Sequence, residues 1–145
     1  MILDASVLTK WFLPDEELMA EALVVRNAAM DNRLDLAAPA ILWAEASHAL
    51  VRAHRRGRIA AGDTQDLAER MEATRSLIAS VEIPLEASVR IALRAGVSAY
   101  DAQYLVCSRR ILRAVLTADR GLFDRGTAAG FDLVWLGDLP TSIAS

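Results

Sequence analysis

The sequence contains a single cysteine, Cys107, and few residues that break regular structure, with seven Gly and four Pro among 145 residues. One cysteine cannot form an internal disulfide, which fits a protein of a reducing compartment. The low Gly and Pro content excludes a collagen-like or low-complexity chain. No apolar run approaches the roughly 18 residues of a membrane span, and Asp4 stands where a secretory signal needs basic and then apolar residues. We therefore expect a cytoplasmic protein.

The sequence does contain enough apolar residues for one folded domain. Hydrophobic residues make up 54% of the chain and charged residues 24%. A chain of this length buries roughly two-thirds of its unfolded surface and needs no disulfide to fold. Because neither a linker nor an internal repeat interrupts it, the sequence predicts a single domain over residues 1–145.

The charge is mildly acidic overall and unevenly distributed. The formal net charge is −3, and residues 1–50 hold eight acids and three bases, whereas the remainder holds 11 acids and 13 bases. Fifteen of the sixteen bases are Arg, whose planar guanidinium binds phosphate through two hydrogen bonds, and they are densest over residues 52–58. A general bias toward Arg, together with the preference of a helix end for cations, explains this cluster as well as RNA binding does.

Short apolar runs alternate with segments of helical period, which predicts an α/β domain. The predicted strands cover residues 1–4, 34–37, 81–83, 114–117 and 131–136. The predicted helices cover residues 5–13, 15–30, 40–56, 59–80, 85–95, 98–112 and 119–125. This alternation indicates a three-layer α/β/α architecture, with a short, mostly parallel central sheet flanked by helices. In such folds, ligands bind outside the carboxyl ends of the strands.

Four acids occupy positions that suit this edge of the sheet. Asp4 ends the first strand, Asp119 follows the fourth, and Asp101 lies in the first turn of a helix that Ser98 opens. Glu45 lies inside an apolar helical stretch, where a carboxylate is costly to bury unless it is paired or coordinates a metal. We expect the four carboxylates to meet at one site.

Each acid also has a structural explanation. Asp4 and Asp119 could cap the helices that follow them, Ser98 and Asp101 have the spacing of a capping box, and Glu45 could face solvent or pair with a base. Taken together, however, carboxylates at one edge repel one another unless a cation compensates them. Oxygen ligands without clustered His or Cys favour a hard ion, Mg²⁺ or Mn²⁺.

Other chemistries lack their motifs in this chain. Glu45 and His48 form one Glu-x-x-His pair, but a di-iron carboxylate bundle needs two such pairs. A His-Glu-x-x-His sequence, a Gly-rich phosphate loop and a Gly-x-Ser-x-Gly turn are all absent. Cys107 and most aromatic residues fit a packed core, and Tyr100 is the best candidate to stack on a nucleobase.

Four ordered segments resemble the PIN domain family, specifically the VapC-type ribonuclease toxins of bacterial toxin–antitoxin pairs. They are residues 3–12 with 14–17, Ala38-Pro39 leading to Glu45, LRAGVSAYDAQ at 93–103 followed by Tyr104, and residues 116–119 with Leu122. The resemblance spans nearly the whole chain and implies a PIN-like fold. It also implies a catalytic and metal-binding cluster of acids, with two supporting polar residues: Asp4, Glu45, Asp101 and Asp119, supported by Ser6 and Thr117.

The activity that this resemblance implies is a metal-dependent endoribonuclease. Metal-activated water would cleave RNA to leave 5′-phosphate and 3′-hydroxyl ends. Asp4 and Asp101 are the best candidates for direct ligands, Asp119 would complete the site, and Glu45 would bind a second metal ion or orient the water. The candidate RNA-binding residues are Arg52, Arg55, Arg56, Arg109 and Arg120. The family further implies a cognate VapB-like antitoxin and a homodimer.

Two other functions remain open at this point. A phospho-receiver signalling module also uses acids and Mg²⁺ at the edge of a parallel sheet, but it needs a Lys late in the chain, and the only Lys is Lys10. A catalytically silent PIN-like binding protein would use the same acids as helix caps. An assay of RNA cleavage separates these alternatives.

Overall fold

The computed structural model of the protein describes residues 1–14, 16–139 and 143. Its five strands are β1 (Ile2–Leu3), β2 (Leu36–Pro39), β3 (Ile78–Val81), β4 (Val115–Thr117) and β5 (Leu133–Trp135). The α-helices are α1 (Ala5–Leu8), α2 (Met19–Met30), α3 (Ile41–Arg55), α4 (Ala61–Glu72), α5 (Leu85–Ala95), α6 (Ala99–Ile111) and α7 (Arg120–Ala128). Short 3-10 helices cover Thr9–Trp11, Ala73–Leu77 and Leu136–Asp138.

The strands form one sheet in the order β3-β2-β1-β4-β5, and every neighbouring pair is parallel. β1 lies at the centre, where Ile2 pairs with Ala37 on one side and with Val115 on the other. The chain first builds the sheet outward from β1 to β3 and then returns to add β4 on the opposite side of β1. The point where the strand order reverses is therefore the gap between the carboxyl ends of β1 and β4, where ligands bind in folds of this kind.

The core lies on both faces of this sheet. Both residues of β1 and all three of β4 are buried, as expected for parallel strands that helices cover on two sides. Leu42 and Ala46 of α3 and Leu105 of α6 are fully buried against this core. The predicted three-layer α/β/α class, with a short parallel sheet between helices, is confirmed.

The second helix begins later than the sequence predicts. We expected it to start at Asp15, which lies outside the described residues, but α2 begins at Met19. Leu18, just before it, adopts a left-handed backbone with φ of 59°. The Glu16 side chain forms ion pairs with Lys10 and Arg58, and Glu16 does not belong to the first turn of α2.

The predicted helix over 59–80 is wrong at its carboxyl end. α4 ends at Glu72, and β3 occupies Ile78–Val81, where we expected three more helical residues and a strand starting at 81. All four residues of β3 pair with β2, from Leu36 opposite Ile78 to Pro39 opposite Val81. The apolar sequence here fits either period, and the hydrogen bonds offered by the edge of β2 favour the strand.

The boundaries around α5 and α6 agree closely with the sequence. α5 covers Leu85–Ala95 as predicted, and Gly96 ends it with a φ of 65°, a backbone conformation that glycine adopts without steric cost. Ser98 accepts a hydrogen bond from the Asp101 amide at the start of α6. These local signals set the position of Asp101 before any tertiary contact is considered.

Within the described part of the chain, no helix is long and apolar enough to cross a membrane. Cys107 is fully buried, and burial raises the pKa of its thiol to about 11. A thiol that stays protonated at neutral pH is a poor nucleophile. The expectation that Cys107 is a core residue is therefore confirmed.

Candidate active site

Asp4 lies at the carboxyl end of β1, at the point where the strand order reverses. It is only 5% exposed. Its Oδ2 atom accepts hydrogen bonds from Ser6 Oγ and from Thr117 Oγ1, the latter over 2.7 Å. Asp4 precedes α1 but makes no side-chain capping bond to it, so the structural explanation as a helix cap does not apply.

The two hydroxyl groups connect Asp4 to the turn that follows β4. Ser6 Oγ accepts a hydrogen bond from the Ala118 amide over 2.9 Å, and Thr117 Oγ1 accepts one from the Asp119 amide over 2.9 Å. Each hydroxyl therefore donates to the Asp4 carboxylate and accepts from the backbone. This arrangement fixes both Asp4 and the start of the segment that carries Asp119. Both hydrogen bonds from these side chains end on Oδ2, which leaves Oδ1 for another partner.

Asp119 has a structural role that the sequence also suggested. Its Oδ1 accepts a hydrogen bond from the Leu122 amide over 3.0 Å and so caps α7. The residue is exposed, unlike Asp4. A cap uses one carboxylate oxygen and leaves the second free, so this hydrogen bond is compatible with a further ligand.

Glu45 is held by a residue to which the sequence assigned no role. Tyr104 is completely buried, and its hydroxyl donates to Glu45 Oε2 over 2.6 Å. Glu45 lies on α3 and Tyr104 on α6, so this hydrogen bond joins two helices on the edge of the site. Glu45 forms no ion pair with a base among the described residues, so that structural explanation of the residue does not apply. Tyr104 lies three residues after Asp101, a spacing that places both on one side of a helix.

The charges of the acids influence one another. Burial raises the pKa of Asp4 from 3.8 to about 6, and repulsion from Asp101 and Asp119 adds to the rise. The hydrogen bonds from Ser6 and Thr117 oppose it. Burial likewise raises the pKa of Glu45, with the hydrogen bond from Tyr104 opposing it and the charges of the other three acids adding to it.

The charges of the acids also affect the pKa of Tyr104. Burial is the main cause of a raised pKa for its phenol, and the charges of Asp4 and Glu45 raise it further. The hydroxyl consequently stays protonated at neutral pH and remains a hydrogen-bond donor to Glu45.

The four acids fit a hard cation by their chemistry. All are oxygen donors, and the repulsion that raises the pKa of two of them is what a bound divalent cation would relieve. In the described ranges, no three His, Cys, Asp or Glu side chains stand close enough together to hold a metal ion. A cation held by these carboxylates would require them to move closer together than they stand in this structure.

A hollow of about 500 Å³ opens beside Glu45. Its lining includes Glu45, His48 and Arg52 from α3, together with Tyr100 from α6. Tyr100 is 60% exposed, whereas Trp11 is only 4% exposed. Trp11 therefore packs in the core, as expected for most of the aromatic residues, and Tyr100 is open to solvent. Stacking of Tyr100 on a nucleobase stays a prediction.

The five candidate RNA-binding arginines are not grouped together. Arg52 and Arg56 border hollows that reach the site, while Arg55 is exposed on the same helix. Arg120 stacks on Trp135, with its guanidinium carbon 3.8 Å from the ring centroid. Arg109 stacks on Phe131 and lies on α6 about 12 Å from Asp101 along the helix axis.

The comparisons with known proteins agree with this architecture. The PIN domain family model matches residues 1–127, so the chain belongs to the PIN domain family. It is 29% identical to Ribonuclease VapC3 of Pyrobaculum aerophilum over 128 residues, which cover 86% of this chain and 93% of that protein.

Two solved structures share the fold. PAE2754 from Pyrobaculum aerophilum superposes with a TM-score of 0.73 at 23% identity, covering 99% of this chain and 88% of that one. A toxin–antitoxin complex from Klebsiella pneumoniae gives a TM-score of 0.63 at 17% identity, covering 95% and 98% of the two chains. The predicted resemblance to the PIN family is thus confirmed.

Proposed function

We propose that this PIN domain is a divalent-cation-dependent endoribonuclease of the VapC type. The observation that carries the proposal is Asp4: a buried carboxylate at the strand-order reversal, held through one oxygen by two hydroxyls and coupled to three further acids. The similarity to Ribonuclease VapC3 supports RNA as the substrate.

The residues of the chain would divide the work as follows. Asp4, Asp101, Asp119 and Glu45 would hold Mg²⁺ or Mn²⁺, which supplies an activated water and neutralises charge on the phosphate. Ser6 and Thr117 keep Oδ2 of Asp4 occupied and thereby present Oδ1. Tyr104 fixes the orientation of the Glu45 carboxylate. The cleavage we propose leaves 5′-phosphate and 3′-hydroxyl ends.

A cleavage assay tests this function. Purified protein is incubated with a panel of cellular RNAs in Mg²⁺, in Mn²⁺ and in chelator, alongside Asp4→Asn and Asp101→Asn. Asp66→Asn is the matched control, because Asp66 is an exposed acid on α4 without an ion pair among the described residues. We expect cleavage only with the metal ions, and only by the wild type and the control.

Other outcomes are equally informative. Cleavage that survives chelator, or that either site variant retains in full, contradicts the metal mechanism. If no RNA is cleaved under any condition, the protein is the catalytically silent binding protein that its sequence left open.

We also propose that the protein acts in the cytoplasm as the toxin of a toxin–antitoxin pair. The fold shared with a toxin–antitoxin complex from Klebsiella pneumoniae supports a proteinaceous antitoxin as the partner. Expression in a bacterial host should arrest growth, and co-expression of the neighbouring antitoxin gene should relieve the arrest. Growth arrest that is equally strong with Asp4→Asn contradicts the assignment.

We propose a homodimer that pairs through α5. Leu85, Val89 and Leu93 follow one another at intervals of four residues on this helix and are 81%, 46% and 82% exposed. Such a stripe of apolar side chains on a helix is typical of an interface. Light scattering should detect a dimer that Leu93→Glu converts to a monomer. Leu112→Asn, a change at an equally exposed leucine off the stripe, should leave the dimer intact, and a wild-type monomer would contradict the proposal.

A further inference from the structure

A second hollow, of about 210 Å³, reaches Ser6 and is rich in cations. Ser6, which donates to Asp4, forms part of its wall. The charged side chains that line it are Lys10, Arg52, Arg56, Arg58 and Glu16. Four positive charges face one negative charge, so this hollow has the opposite sign to the Asp4 carboxylate that Ser6 contacts.

Lys10 is the most unusual of these cations. It is the only Lys of the chain and is only 9% exposed, although lysine is among the residues least often buried. Its Nζ atom lies 3.3 Å from Glu16 Oε2. Arg58 lies 2.9 Å from the other oxygen of the same carboxylate and also donates to the carbonyl of Pro14 over 2.8 Å. One carboxylate therefore occupies two cations and holds them in the wall of the hollow.

Arg52 and Arg56 are different, because neither forms an ion pair with any residue that the structure describes. Both are exposed: Arg52 lies in the last turn of α3, and Arg56 directly follows the last residue of that helix. The Arg56 amide donates to the Arg52 carbonyl over 3.1 Å, so the two residues lie on one side of the helix end. Their guanidinium groups are available to an external anion. A phosphate matches the planar fork of an arginine through two hydrogen bonds.

The two hollows are connected through α3. Arg52 lines the cationic hollow and also the hollow that contains Glu45, His48 and Tyr100. A single-stranded RNA with a base stacked on Tyr100 and a phosphate near the acids would thus continue toward Arg52 and Arg56. Single-stranded nucleic acids bind in this manner, through aromatic stacking and a positively charged groove.

We propose that the cationic hollow binds one backbone phosphate of the single-stranded RNA, next to the phosphate that is cleaved at the acids. Arg52 and Arg56 contact this phosphate, and Glu16 restrains Lys10 and Arg58 as an internal counterion. This inference rests on the proposed ribonuclease function, since it places a neighbouring phosphate of that substrate.

The test is a binding experiment that does not depend on cleavage. Affinity for a short, labelled single-stranded RNA of mixed sequence is measured in chelator at several salt concentrations, for wild type and Arg56→Gln. The slope of log affinity against log salt should become shallower by roughly 0.7 for the loss of one phosphate contact on a single strand. Arg70→Gln is the matched control, since Arg70 is an exposed arginine on α4 that lines neither of the two hollows and forms no ion pair among the described residues.

Glu16→Gln should change RNA affinity and the salt slope in the opposite direction to Arg56→Gln. Removing the internal counterion releases Lys10 and Arg58 to the RNA, so the affinity should rise and the salt slope should steepen. RNAs with a neutral methylphosphonate at a single position locate the contact: one linkage should weaken binding to the wild type but not to Arg56→Gln.

Several results would overturn the inference. They are an unchanged salt slope in Arg56→Gln, an equal loss in Arg70→Gln, weaker binding by a folded Glu16→Gln, or binding of an acidic peptide in place of RNA. The proposed cleavage is judged separately. A shallower slope without any nuclease activity supports the phosphate site alone, and nuclease activity with an unchanged slope supports the ribonuclease while rejecting this site.

Discussion

Asp4 and Glu45 are both acids that accept hydrogen bonds from hydroxyl groups, yet the fold surrounds them differently. Asp4 accepts hydrogen bonds from two hydroxyls and is almost completely buried. Ser6 lies shortly after β1, and Thr117 is the last residue of β4. Glu45 is held by one phenol across two helices and remains half-buried. The comparison indicates that strand register fixes the first carboxylate, while helix packing positions the second.

Exchanging each acid for its amide tests this difference most strongly. Asp4→Asn should lower the rate of RNA cleavage by more than about 100-fold, the upper end of losses for residues that only support a metal ligand. Glu45→Gln should cause a smaller loss, because its carboxylate is less firmly fixed. Initial rates at saturating Mg²⁺ measure both, and equal losses would contradict the comparison.

Stability without metal should distinguish Asp4 by its pH dependence. Because the pKa of Asp4 is about 6 in the fold and 3.8 without it, the folded protein binds more protons between these values, and its stability falls as pH rises through them. Asp4→Asn should remove this loss and be more stable than the wild type at pH 7 by about 3 kcal/mol.

Denaturant unfolding in chelator at several pH values between about 4 and 7 gives the two stability curves. Asp66→Asn should follow the wild type throughout. Curves for wild type and Asp4→Asn that stay parallel would show that burial of this carboxylate carries no such cost.

Substituting Thr117 makes a smaller change beside Asp4 than substituting Asp4 itself. Thr117→Val keeps the shape of the buried side chain but removes the donor to Asp4 and the acceptor for the Asp119 amide. The Mg²⁺ concentration for half-maximal cleavage should rise by about 10- to 100-fold. Thr117→Ser, which restores the hydroxyl, should recover most of the affinity. If it does not, the methyl packing of Thr117 matters more than its hydrogen bonds.

We expect the smallest effect on cleavage from a change at Tyr104, the hydrogen-bond partner of Glu45. Tyr104→Phe removes the hydrogen bond that lowers the pKa of Glu45, so this pKa should rise further and the acid limb of the pH–rate profile should shift upward. We expect a rate loss of about 10-fold near neutral pH. Tyr100→Phe, at the other tyrosine of the chain, keeps the ring and should leave the profile in place. A profile that Tyr104→Phe does not shift would limit Tyr104 to a packing role.

Much of the site could be predicted because its acids follow local signals. Asp4 and Asp119 come directly after apolar strands, and Asp101 follows Ser98, whose side chain starts the helix. Those signals operate within a few residues and do not depend on the rest of the fold. The role of Tyr104 could not be read in the same way, because its partner Glu45 is 59 residues away.

The cationic hollow shows the same limit. Arg52, Arg56 and Arg58 belong to the basic cluster that is visible in the sequence, but Lys10 and Glu16 join them only through the packing of two segments about 40 residues apart. The start of α2 and the strand β3 were mispredicted for a related reason. In both segments, contacts with distant residues outweigh the local preference for a helix.

The sequence by itself determined the alternation of strands and helices and the class of fold, and it selected the four candidate acids, since period, caps and strand ends act over short distances. Only the tertiary structure decided how these parts serve one another. It buried Asp4 between two hydroxyls, attached Glu45 to Tyr104 and placed a positively charged hollow beside Ser6, a hydrogen-bond partner of Asp4. These properties depend on burial and on the distances between residues far apart in the chain, which no local pattern encodes.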